Sequence, residues 1–243
     1  QIYTGATTVS AGTLQLMTGL VTTTSGMTVG ANASLNLNGV ELSRPLTLTG
    51  SGFSGNGAFY NNSASTSVVS NTVGLTVGVK VGGSGNITIS NAGGVTGNVL
   101  LTKSGTGTLT VNASTTTSTR SGANQVDSGI LRVQSNATSG AFAPIGTGAY
   151  ALNGGTLSLG YDVNNTTTNV VNLLADSTII ADRATVGAGS SVITLSTLTI
   201  GGNALTVRAG ENVTSGTVGL TLGTVTIGGP SMLPGNPTFD VQS

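Results

Sequence analysis

The chain has 243 residues, of which 6% are charged and 3% aromatic, and its seven basic and seven acidic side chains balance to zero net charge. Disorder needs low hydrophobicity with high net charge, so this composition excludes it; a wide globular core is excluded too, because four Phe, four Tyr and no Trp cannot fill one. The absence of His and Cys removes the commonest general base and metal ligand and all thiolate chemistry, and no long apolar run offers a membrane-spanning helix.

Along the chain one phrase recurs: Gly, then Thr or a similar residue, then an apolar–polar–apolar triplet. It reads GTLQL from Gly12, and echoes follow as SLNLNG from Ser34, LTLTG from Leu46, LTVG from Leu75 and NITIS from Asn86. The full phrase returns as GTLTV from Gly107, GILRV from Gly129 and GTLSL from Gly155, with later echoes at Leu198, Leu205 and Leu220. Marker leucines lie 21 residues apart from Leu14 to Leu35, 22 from Leu109 to Leu131, 26 from Leu131 to Leu157 and 22 from Leu198 to Leu220. A drifting period near 22 is that of a solenoid.

Alternation within each phrase places Leu14 and Leu16 on one side of a strand and Thr13 and Gln15 on the other. Gly, Asn and Ser bracket the triplets and mark corners. No window carries the i, i+3, i+4, i+7 spacing of an amphipathic helix, so helix content should be near nil. Asn38-Gly39 and Asn153-Gly154 are the clear hairpin signals, too few for an antiparallel sandwich. The expected fold is all-β: a single parallel β-helix (β-solenoid) of about 10–11 coils with roughly 22 residues per coil. Residues 1–243 then form one continuous solenoid, a segment of a longer array or a stackable unit in one.

YTGATTVSAGTLQL (Tyr3 to Leu16), SGTGTLTV (Ser104 to Val111) and IGTGAYALNGGTLSLG (Ile145 to Gly160) resemble the autotransporter-associated β-strand repeat of large bacterial surface and secreted proteins. The resemblance implies a right-handed parallel β-helix, secretion to the bacterial cell surface, and a stalk, passenger or fibre role. It carries over no catalytic residue.

The residues themselves offer little chemistry. Asp176, Asp182 and Arg183 form the densest charged group, and Asp162 and Asp127 lie too far along the chain to complete a carboxylate pair, so solvated corner charges with a local Asp182–Arg183 pair are expected. GGSGN at Gly82 and GGNAL at Gly201 lack the Asp that calcium repeats need, so no metal is expected. Gly105-Thr106-Gly107 precedes no helix, which leaves no cofactor site. Seven scattered basic residues make no nucleic-acid patch. Thr-x-Thr triplets at Thr47, Thr108, Thr197 and Thr224 are too irregular for a ranked ice-binding face.

The leading expectation is therefore a non-enzymatic extracellular stalk or filament subunit. Neither end reads as a polar cap, so self-association end to end is expected, with Tyr3 and Phe239 in the contact. An alternative is an adhesin that binds a glycan or surface through the loops 53–66 and 137–150, where Phe53, Phe59, Tyr60, Phe142 and Tyr150 gather. Exposed aromatics there favour binding; buried ones mean that the loops seal the core, which is the expected outcome. A polysaccharide-active enzyme is the third and remotest reading.

Overall fold

Wherever Leu, Val or Ile alternates with Thr the chain extends, and wherever Gly, Asn or Ser interrupts it the chain turns. The structure, a computed structural model, describes residues 4–17, 24–90, 94–112, 118–137, 143–228 and 236–242. Val73–Val77, Val79–Gly82 and Ile87–Ile89 make one turn of three strands. The next turn, Val95–Thr96, Leu101–Lys103 and Thr108–Asn112, lies on it in parallel, with Val73 against Val95, Val79 against Leu101 and Ile87 against Leu109. The chain is thus a parallel β-solenoid, of which 1% is helical.

The turns number about eight and follow one another about 24 residues apart, fewer and longer than a 22-residue period predicts. The lengthening is local: Leu131 pairs with Leu157, Ile179 with Val207 and Val207 with Val241, steps of 26, 28 and 34 residues. Extra residues leave the coil at corners, and the ladder register resumes.

A turn has three faces. The third is an eight-stranded sheet, whereas the first and second belong to one 14-stranded sheet that bends over their shared corner. Met27–Asn36 crosses that corner, pairing its first residues with Leu46–Thr49 and its last with Phe59–Tyr60. Ser191–Ile200 does the same against Asn165–Thr166 and Val170–Ala175.

Parallel register stacks like on like. On the third face Val69, Ile89, Val111, Val133 and Leu159 form an unbroken buried ladder. On the second face Leu35, Phe59, Val81, Lys103, Val126, Leu152, Leu173 and Ile200 form another. These ladders belong to one core that runs from Val9 to Leu205. Each fully buried Val, Leu or Ile contributes about 1.5–3 kcal/mol, and a bore this narrow explains why the chain needs few aromatic residues.

The recurrent Gly has a steric cause. A methyl group on Gly107 would overlap the Gly85 carbonyl one turn below, and one on Gly85 would overlap the Ser63 carbonyl. Successive turns meet too closely at this corner for any side chain, so close approach, rather than a special backbone angle, requires glycine at 85 and 107. Gly107→Ala should therefore lower the urea midpoint well below that of Gly187→Ala, whose added methyl has nothing within 4 Å. Equal midpoints for the two variants would refute the corner argument.

Candidate functional site

Charge in this sparse chain concentrates on the outer side of the third face. Arg132 Nη1 lies 2.6 Å from Asp182 Oδ2 and donates to Ser158 Oγ at 2.9 Å; its Nη2 donates to the Arg183 carbonyl at 2.7 Å. The Asn212 backbone N–H donates to Asp182 Oδ1 at 3.1 Å, and its side-chain amide donates to the Arg183 carbonyl at 2.9 Å. Arg132, Ser158, Asp182 and Asn212 come from four successive turns, so one polar strap crosses all of them. Glycines make room: a methyl on Gly160 would press on the Arg132 guanidinium, and one on Gly210 would overlap the Asp182 carboxylate. Arg208 and Glu211 line the same depression, a cavity of about 220 Å³.

This arrangement corrects the expected charge pattern. Asp182 is 3% exposed, hence buried, and its partner is Arg132 from 50 positions earlier; Arg183 pairs instead with Asp162 at 3.3 Å. A second carboxylate, Glu211, does sit one turn further on. Asp176 stands apart, accepting from the Ala204 N–H, and Asp127 accepts from Gln125 and Asn153. Among the described residues no group of three or more His, Cys, Asp or Glu is placed to hold a metal ion, and no helix is long and apolar enough to cross a membrane.

Two cations lie inside the solenoid. Lys103 occupies a position in the second-face ladder, between Val81 and Val126. Its ammonium donates to the carbonyls of Ser104 (2.7 Å), Gly105 (2.8 Å) and Ser128 (3.4 Å), and burial lowers its pKa from 10.5 to about 8. Arg120 enters where the first face is interrupted, donating to Asn124 Oδ1 and the Val99 carbonyl at 2.6 Å each and to the Ala123 carbonyl at 2.9 Å. Its pKa falls to about 10, again through burial, which the neighbouring Tyr150 partly offsets. Burial pushes the Tyr150 and Tyr161 phenols above their ordinary value, with Arg120 opposing the shift at Tyr150. The period-two alternation of Leu101-Thr102-Lys103 did carry the signal that Lys103 points inward; no pattern announced Arg120.

The predicted aromatic sites divide. Phe59 and Tyr150 are core residues, 1% and 2% exposed. Phe53, in a short 3-10 turn Phe53–Gly55, is exposed, and Tyr60 is half-buried on the outer side of the second face. The loops therefore both seal the core and present aromatic surface. Phe239 is exposed on the last described strand, whereas Tyr3 and Phe142 lie outside the described residues. No family model matches this chain, and neither do curated proteins or solved structures.

Arg132→Met leaves the Asp182 carboxylate buried without its ion-pair partner and should cost about 3–5 kcal/mol. Adding Asp182→Leu should recover part of that loss, a coupling that a double-mutant cycle in urea measures. For Lys103 the sign is the reverse of a stabilising pair. Its folded pKa, about 8, lies below its ordinary 10.5, so the unfolded chain binds more protons in between and stability rises with pH over that window. Melting temperature should climb from pH 8 to about pH 10, above which the raised tyrosines oppose the trend. Lys103→Met should flatten the climb.

Proposed function

We propose that the chain is a non-enzymatic structural unit of an extracellular bacterial stalk or filament, continued end to end by a second copy. The observation that carries this reading is the row of exposed apolar side chains on the last described strands. Ile227 and Val225 are 64% and 43% exposed, although Ile200 and Leu198, directly beneath them in register, are fully buried. Val241 is 78% exposed and Phe239 46%, at interior-facing ladder positions on the third face. Removing such β-branched and aromatic side chains from water is favourable, and the adjoining edge N–H and C=O groups template another strand.

The occupant that fits is the strand Thr7–Gln15 of a second copy. It spans nine residues, pairs in two registers with Met27–Asn36 over the first-face corner, and has one strand partner among the described residues. Val218–Ile227 spans ten residues and follows both halves of Ser191–Ile200 over the same corner. Parallel addition of one to the other is heterologous and does not close, which gives a filament. Zero net charge weakens the repulsion between copies. The likeness of three stretches to the autotransporter-associated repeat supports the extracellular bacterial setting. A catalytic reading draws little support from Asp182, because Arg132 and Asn212 already engage both of its oxygens.

Light scattering at rising concentration should report growing mass, and negative-stain microscopy should show rods with an axial repeat on the order of 40 Å, from about eight turns stacked about 4.8 Å apart. The double variant Ile227→Lys/Val241→Lys should remain monomeric while keeping its β-sheet circular dichroism. A native chain that stays monomeric at high concentration, or a charged variant that assembles equally well, would overturn the reading.

A further inference from the structure

Two outer hollows differ in how far their polar groups are already engaged. In the third-face depression Arg132, Ser158, Asp182 and Asn212 bond one another, and the lining's two arginines, Arg132 and Arg208, are balanced by two carboxylates, Asp182 and Glu211, so that hollow carries no net charge. The larger hollow, about 460 Å³, lies on the outer side of the second face at its corner with the third. Its floor is glycine by necessity: a methyl on Gly82 would overlap the Asn56 carbonyl, one on Gly83 the Asn61 carbonyl, and one on Gly105 the Gly83 carbonyl. Coil stacking thus accounts for the hollow. It does not account for the side chains around the rim.

Asn56, Tyr60, Asn62, Lys80 and Thr106 form that rim. Among the described residues the Lys80 ammonium, the Tyr60 hydroxyl, the Asn56 amide and the Thr106 hydroxyl make no hydrogen bond or ion pair. Asn62 spends only its Oδ1, which accepts from the Ser84 N–H at 3.2 Å, leaving its NH₂ free. No carboxylate lines the hollow, and the Lys103 ammonium lies immediately beneath, bonded to the Ser104 and Gly105 carbonyls of the floor. Cationic character from above and below, without a counter-ion, attracts an anion.

We infer that this hollow binds a pyranose ring bearing an anionic group. An aromatic ring at the wall gives an apolar body for the sugar's C–H face. The free amides and hydroxyls match ring hydroxyls, and Lys80 meets the charge. The volume falls within the range of small-molecule sites, about 300–1,000 Å³. The site does not depend on end-to-end stacking, since every rim residue comes from one chain; a stacked array would present it once per copy and so gain avidity.

D-glucuronate and D-glucose make a discriminating pair of probes, because they differ only in carboxylate against hydroxymethyl. In ¹H–¹⁵N correlation spectra of the full chain, glucuronate should shift the amides of Gly82, Gly83 and Gly105, and glucose should bind roughly tenfold more weakly. Lys80→Gln should bring glucuronate down to the glucose level. Tyr60→Ala should abolish the response to both sugars, and Tyr60→Phe, which retains the ring, should preserve it. Failure of glucuronate to shift these amides, equal binding of the two sugars, or full binding by a folded Tyr60→Ala chain would each overturn the assignment.

Discussion

The backbone ladder between successive turns is the interaction on which everything else rests. Parallel strands about 4.8 Å apart in the hydrogen-bonding direction leave each residue directly over its counterpart. That spacing explains three features together. It makes the interior a stack of like apolar side chains, as in Val69, Ile89, Val111, Val133 and Leu159. It expels every side chain from the corner at Gly85 and Gly107. It also carries a hydrogen-bond frame out to the last described strands, where the apolar ladder positions meet solvent.

A solenoid interior still contains carbonyl groups at its corners, and the two internal cations exploit them. Lys103 and Arg120 are held by neutral oxygens, mostly backbone carbonyls, with no carboxylate among their bonded partners. Such oxygens replace part of the water that burial removes, but not all of it, which is why both pKa values fall. The Arg132–Asp182 strap follows the opposite principle. There a paired carboxylate and guanidinium answer each other on the outer side of a face, with Asn212 completing the carboxylate's shell.

How much of this was legible follows from which interactions are local. Alternation within GTLTV or GTLSL is a local property, so the strands, their inward residues and the parallel stacking could be read from the chain, and Lys103 could have been. Coil number was less legible, because the residues inserted between Leu131 and Leu157 or Ile179 and Val207 leave the ladder without altering the phrase. The ion pair was misread because proximity in sequence favoured Arg183, whereas the register places Arg132 two turns below Asp182. Tyr60 and Phe59 are neighbours with opposite fates, one on an outer rim and one in the core, and only the register of Phe59 with Leu35 and Val81 decides between them.

Stability in a solenoid is approximately a sum of contributions within turns and between nearest neighbours, so an irregular turn weakens the stack where it occurs. The steps of 26 and 28 residues are such places, since a longer excursion costs more closure entropy. The strap from Arg132 through Ser158 and Asp182 to Asn212 runs across this interval. Its bonds skip a turn, from Arg132 to Asp182, and so couple units that nearest-neighbour stacking alone would leave independent. Charge is rare in this chain, yet its densest cluster spans two of the lengthened steps. That placement gives the ion pair a mechanical sense: it ties the loosened turns together.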